Sequence, residues 1–180
     1  MKILLINPPH LSIGSRMPND HLPPLGLLSI GGPLLDEGHE VKLLDADYSF
    51  MKHSKIVSET VLFNPDLVLM GHSGSTSAQP IINELSVLIK EKVSHVKIII
   101  GGVFPTYHWK EILEENPLID YIVCGEGEKI IVNLVNALSN KVDLKEIKGI
   151  VFRNNTEILK TPPESIIKDL EEFRIGWELM

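Results

Sequence analysis

Short runs of apolar residues punctuate the first two thirds of the chain, and each run is almost continuously apolar. A strand with one solvated face would alternate apolar and polar residues, whereas a continuous run is typical of a strand covered on both faces. The runs therefore predict buried parallel strands at Ile3–Ile6, Val41–Leu44, Leu67–Met70, Ile98–Ile100 and Tyr121–Cys124.

Segments with helical spacing separate these runs. The shared apolar faces are Ile56, Val57, Thr60 and Val61; Ile81, Leu85, Leu88 and Ile89; Trp109, Ile112 and Leu113; and Ile131, Leu134, Val135 and Leu138. Asn64-Pro65 should stop the first of these helices, and Thr106 should cap the third. A further helix over Leu25–Leu35 contains Gly31-Gly32-Pro33, which predicts a kink or break. The alternation predicts an α/β fold with a doubly wound parallel sheet.

The pattern changes after Leu138. Ile147–Phe152 and Glu157–Lys160 flank an Asn-rich turn and predict a β-hairpin. Pro162-Pro163 then opens a tail with several large apolar residues and no following element to cover them. We expect a binding domain at 1–140, a hairpin extension at 141–161, and a linker toward a further domain at 162–180.

Composition narrows the function classes. The 180 residues carry 17 basic and 24 acidic side chains, a net charge of −7, and no cluster of Lys and Arg. Nucleic-acid binding is disfavoured, because it needs a concentrated basic surface. The single cysteine, Cys124, excludes a disulfide framework and an iron–sulfur cluster held by this chain alone. No apolar run is long enough for a membrane span or a signal peptide, which predicts a cytoplasmic protein without membrane contact.

Small and polar residues collect where the predicted strands end. They are Asn7-Pro8-Pro9-His10, Gly71-His72-Ser73-Gly74-Ser75-Thr76-Ser77, Gly101-Gly102-Val103 and Gly125-Glu126-Gly127-Glu128. Ligands of open parallel sheets bind at this edge, although any one of these segments could simply be a turn of the fold. Both glycine-rich nucleotide motifs, G-x-G-x-x-G and G-x-x-x-x-G-K-[ST], are missing, and the histidines show no metal-ligand spacing.

An ordered set of short segments resembles a known family. The set comprises Asn7-Pro8-Pro9, Pro23-Pro24-Leu25-Gly26-Leu27, Gly38-His39-Glu40-Val41, Asp66-Leu67-Val68, Ser73, Gly101-Gly102-Val103-Phe104-Pro105-Thr106 and Asp120-Tyr121-Ile122-Val123-Cys124-Gly125-Glu126-Gly127-Glu128. Together these resemble the N-terminal cobalamin (B12)-binding domain of cobalamin-dependent radical SAM enzymes. The tail Arg174-Ile175-Gly176-Trp177-Glu178-Leu179 is most similar to the anaerobic magnesium-protoporphyrin IX monomethyl ester oxidative cyclases.

The resemblance implies a flavodoxin-like (Rossmann-like) sheet of five parallel strands, order 2-1-3-4-5, followed by the hairpin and the tail. It implies that cobalamin is held by Ser73, Gly74, Thr76, Ser77, Gly101, Gly102, Val103, Gly125, Glu126 and Gly127, with Asn7, Pro8, Pro9 and Leu25 bordering the corrin. No catalytic or metal-ligating residue is expected in this segment. A downstream radical SAM domain would carry a 4Fe-4S cluster and S-adenosylmethionine, and would cyclise or methylate a tetrapyrrole or another unactivated carbon.

Cobalamin domains of methyltransferases ligate cobalt through the histidine of a D-x-H-x-x-G motif. This chain has His10 nearby but lacks the Asp and the spacing, so we expect base-off cobalamin without a histidine ligand. Two alternatives stay open at this point. One is a regulatory or interaction module on the same scaffold without catalysis, and the other is a flavin-binding protein, which Pro8-Pro9 disfavours because prolines offer no N–H to a phosphate.

Overall fold

The computed structural model describes residues 1–9, 22–71 and 78–180. All of the predicted strands are present. They are β1 (Lys2–Asn7), β2 (Glu40–Asp45), β3 (Leu67–Gly71), β4 (Lys97–Gly101), β5 (Tyr121–Val123), β6 (Ile150–Asn154) and β7 (Glu157–Lys160). Ile3–Ile6 of β1 are fully buried, in agreement with a strand covered on both faces.

The strands form one sheet of seven, in the order β2-β1-β3-β4-β5-β6-β7. The pairs from β2 to β5 are parallel, which confirms the order 2-1-3-4-5 for the parallel part. The sheet has two more strands than the five expected, because β6 of the predicted hairpin pairs antiparallel with β5 and continues the same sheet. The hairpin thereby covers the backbone edge that β5 would otherwise expose.

Helices cover both faces of the sheet. They are α1 (Leu25–Asp36), α2 (His53–Phe63), α3 (Gln79–Lys92), α4 (Val103–Glu115) and α5 (Gly127–Asn140). The buried residues of α2, α3 and α4 form one core, and those of α1 and α5 form the other. Within the described ranges, no helix is long and apolar enough to cross a membrane.

The predicted break in α1 does not occur. One helix runs from Leu25 to Asp36 with Pro33 inside it, although proline removes a backbone donor. Gly31 and Gly32, which precede Pro33, do not break the helix but allow close packing. A side chain at Gly32 would place its Cβ on the carbonyl oxygen of Arg174, so glycine is required here for close packing of two backbones.

The end of the tail packs on α1 instead of lying uncovered. The Gly176 N–H donates to the Leu28 carbonyl at 3.0 Å. Leu179 joins the core shared by α1 and α5. The Arg174 guanidinium donates to Asp36 of α1 at 2.7 Å and to Glu178 at 2.6 Å. Trp177 is still 51% exposed, so the tail covers α1 while part of its own apolar surface faces solvent.

This packing predicts opposite effects for two glycine-to-alanine changes in α1. Gly32→Ala should destabilise the 180-residue chain by roughly 1–3 kcal/mol, because the new Cβ meets backbone that cannot move without displacing the tail. Gly26→Ala should be neutral or stabilise by about 0.5–1 kcal/mol, because a Cβ there meets nothing within 4 Å and alanine favours helix. Urea unfolding measures both, and a Gly32→Ala chain as stable as the unmodified one would contradict the tail packing.

Candidate functional site

The carboxyl ends of the parallel strands meet along one edge of the sheet, as the sequence predicted. The register pairs Asn7 with Asp45, Gly71 with Gly101, and Gly101 with Val123. The turns that follow β4 and β5 therefore lie side by side at this edge, and the turn that follows β1 lies at the same edge, with β3 between β1 and β4. Ser73, Gly74, Thr76 and Ser77, which follow β3, lie outside the described residues, as do His10 and His72.

The first turn is held to the second by a side-chain bond. Asn7 is buried, and its Nδ2 donates to Asp45 Oδ1 at 2.8 Å. The Tyr48 N–H donates to the same oxygen at 3.3 Å. Pro8 is buried and Pro9 is half-buried. Asp45 therefore joins the ends of β1 and β2, and its carboxylate orders the turn that follows β2.

The turns after β4 and β5 expose backbone that carries no side chain. Gly102 lies between β4 and α4 with φ 106° and ψ −174°, and Gly125 has φ 101°. L-residues rarely adopt either conformation, so glycine is needed at both positions. An ideal Cβ at Gly125 would meet no atom of the described residues within 4 Å, so among these residues the space beside this backbone is open.

The other predicted site residues flank these two glycines. Gly101 is the last residue of β4, and Val103, 61% exposed, begins α4. Gly127 begins α5, and a Cβ there would lie 3.1 Å from Ile30 of α1. Leu25 is half-exposed at the first position of α1. These residues lie at the same edge of the sheet or in helices that begin there.

Thr106 does not cap α4, contrary to the sequence prediction. It lies inside the helix, one turn after Gly102, and its Oγ1 donates to the Gly102 carbonyl at 2.8 Å. The same oxygen accepts a hydrogen bond from the Gly125 N–H at 3.2 Å. A single hydroxyl thus connects the β4 turn to the β5 turn. The sequence offers no signal for this contact, because the two bonded residues are 19 positions apart.

A cavity of about 260 Å³ adjoins the β5 turn. Thr106, Gly125 and Glu126 line it on the side of the sheet edge, and Lys160 and Glu164 line it from the hairpin and the tail. Sequence reasoning did not place the last two at the site, because their approach depends on the hairpin joining the sheet at β5.

The tail donates a hydrogen bond to the Glu126 side chain in the β5 turn. The backbone N–H of Ile167 donates to the Glu126 carboxylate, and Lys129 at the start of α5 pairs with Glu164 at 3.4 Å. The segment that follows β7 is therefore held against the β5 turn, and it forms one wall of the cavity.

Cys124 directly precedes the glycine turn and is partly buried. Burial raises the pKa of its thiol, so the thiol stays protonated at neutral pH. It is partly buried and packs against the core, as a small apolar residue does. Across the described ranges, no group of three His, Cys, Asp or Glu side chains is arranged to hold a metal ion.

The chain is similar to known proteins in both sequence and fold. It is 52% identical over its whole length to the anaerobic magnesium-protoporphyrin IX monomethyl ester cyclase of Synechocystis, of which it covers 36%. It is 34% identical over 97% of its length to an uncharacterized methyltransferase of Pyrococcus horikoshii, of which it covers 38%. The chain thus spans little more than a third of these relatives.

The fold is also found in solved structures of radical S-adenosylmethionine enzymes. The methyltransferase TsrM of Kitasatospora setae, solved with cobalamin and a [4Fe-4S] cluster, superposes with a TM-score of 0.76 over 97% of this chain and 31% of its own, at 22% identity. The cobalamin-dependent S-adenosylmethionine radical enzyme OxsB superposes with a TM-score of 0.72 over 92% of this chain and 22% of its own, at 19% identity. A family model described as the B12 binding domain matches residues 16–135. The chain therefore belongs to the B12 binding domain family.

Proposed function

We propose that this chain binds cobalamin at the carboxyl edge of its sheet, as the cobalamin domain of a radical SAM enzyme. The observation that carries the proposal is the pair of exposed glycines, Gly102 and Gly125, at neighbouring strand ends. A large ligand can lie directly on the backbone of these two turns, because glycine has no Cβ to separate the ligand from the backbone. The space beside Gly125 is also open. Membership of the B12 binding domain family supports cobalamin as that ligand.

The residues present divide into a floor and a border. Gly101, Gly102, Gly125 and Gly127 would form the floor for the nucleotide side of the cofactor, together with Val103, Glu126 and, among the residues that the structure leaves undescribed, Ser73, Gly74, Thr76 and Ser77. Asn7, Pro8, Pro9 and Leu25 would border the corrin.

When bound, cobalamin would supply the redox and group-transfer chemistry of its cobalt. The chain itself contributes binding and orientation. The part-buried hydrogen bond from Asn7 to Asp45 ties the β1 turn to the end of β2. Pro8 and Pro9 have no backbone N–H, so a corrin that covered them would leave no donor without a partner.

The remaining function would reside in a radical SAM domain of the same polypeptide. The relatives are nearly three times as long as the match, which supports this arrangement. That domain would hold the 4Fe-4S cluster and S-adenosylmethionine, and the parent reaction would be oxidative cyclisation or methylation, with the cyclase preferred on the 52% identity. A coding sequence that continues after Met180 without a Cys-x-x-x-Cys-x-x-Cys motif would contradict this proposal.

The first prediction tests the location of the cofactor. Hydroxocobalamin should co-elute with the chain in gel filtration. Val103→Glu should weaken its binding more than tenfold, about 1.4 kcal/mol, because the new carboxylate would lose water at the ligand surface and face the phosphate of the cofactor. Val103 is exposed, so the thermal midpoint without ligand should hardly change.

Val61→Glu is the matched control. Val61 is 46% exposed in the second half of α2, which leads away from the carboxyl edge. Binding should therefore equal that of the unmodified chain. Equal loss of binding in both variants would show that charge alone reduces affinity and would remove the support for a site beside Val103.

The second prediction concerns the lower axial position of cobalt. We propose that cobalamin binds base-off and without a histidine ligand, because no Asp accompanies His10 and the two prolines before it limit the movement of this segment. Electron paramagnetic resonance of the Co(II) form should show no splitting from an axial nitrogen. A nitrogen splitting that disappears in His10→Ala would refute the proposal.

A further inference from the structure

Two glycine turns form the floor of the proposed site, and each belongs to a different strand. Gly102 follows β4, and Gly125 follows β5. A glycine can adopt more backbone conformations than any other residue, since no Cβ limits its dihedral angles. A floor made of two such turns binds a rigid ligand well only if the turns are held in one relative position before the ligand arrives.

We propose that Thr106 is the positioning residue that holds these two turns together, and this inference rests on the proposed function. Its hydroxyl donates to the Gly102 carbonyl at 2.8 Å and accepts from the Gly125 N–H at 3.2 Å. A hydroxyl carries one donor and two acceptor sites, so one group can satisfy both backbones. The Thr106 N–H also donates to the Gly102 carbonyl, at 3.2 Å, which anchors the residue to the first turn.

The contact does more than stabilise α4. A threonine inside a helix commonly bonds the carbonyl four residues earlier, and Thr60 does so with Ile56 in α2, at 2.9 Å. Thr106 makes the equivalent bond to Gly102, but its oxygen reaches in addition to a turn of the neighbouring strand. The added bond fixes the direction of the Gly125 peptide, whose open side would face the ligand.

Three variants separate positioning from general stability. Thr106→Val preserves shape and removes the hydroxyl, Thr106→Ser preserves the hydroxyl, and Thr60→Val removes a helical hydroxyl at a buried position far from the carboxyl edge. Thr106→Val should bind hydroxocobalamin about tenfold more weakly than the unmodified chain, the effect of losing two hydrogen bonds that order the floor. Thr106→Ser and Thr60→Val should bind within about twofold of the unmodified chain.

Amide hydrogen exchange of Gly125, measured by NMR without cofactor, supplies the second readout. Its N–H should exchange about tenfold faster in Thr106→Val than in the unmodified chain, because its acceptor is removed, and should be restored in Thr106→Ser. Thr60→Val should leave this exchange unchanged. Circular dichroism confirms that each variant is folded.

The outcomes distinguish the two proposals. If the unmodified chain does not bind hydroxocobalamin, the proposed function fails and the role of Thr106 in binding fails with it. If the unmodified chain binds and Thr106→Val binds equally well, or Thr106→Ser does not restore affinity, only the positioning role is overturned. Unchanged Gly125 exchange in a folded Thr106→Val chain overturns that role even if affinity falls.

Discussion

The parallel register of β3, β4 and β5 is the constraint on which the candidate site depends. Gly71 pairs with Gly101, and Gly101 pairs with Val123, so three neighbouring strands stop at the same level. A shift of one strand by one residue would preserve a hydrogen-bonded ladder but turn every buried side chain to the opposite face, so side-chain packing fixes this level. The turns can form one continuous floor only because the strands beneath them end together.

Burial on both faces in turn fixes the register. Met70, Ile98 and Ile100 belong to the core under α2, α3 and α4, whereas Leu69 and Ile99 belong to the core under α1 and α5. Neither face tolerates a polar side chain without a partner, so the strands read as continuous apolar runs. Burial of both faces therefore makes the strands predictable from the sequence. It also sets the register that places the glycine turns at one edge.

The parts of the structure that depend on local pattern could be predicted from the sequence. The strands, the end of α2 at Asn64 in a left-handed conformation, and the buried face of α5 follow from periodicity and turn chemistry. The hairpin was located, but its pairing with β5 was not, because pairing is a contact between distant segments. The role of Thr106 was missed for the same reason: a Thr near a helix start is typical of a cap, and only the fold brings Gly125 to its oxygen.

Glycine has two different uses in this chain, and the sequence alone does not distinguish them. In α1, Gly31 and Gly32 look like defects of a helix, yet Gly32 lies where the Arg174 carbonyl would occupy the volume of a side chain. There the small residue lets two segments of the same chain approach. At Gly125 no atom of the described chain takes up the equivalent space, and the small residue leaves room that the chain does not itself use. Gly32 therefore serves the fold, whereas Gly125 faces open space beside a strand end and is available to a ligand, and this difference distinguishes a packing glycine from one in a candidate binding surface.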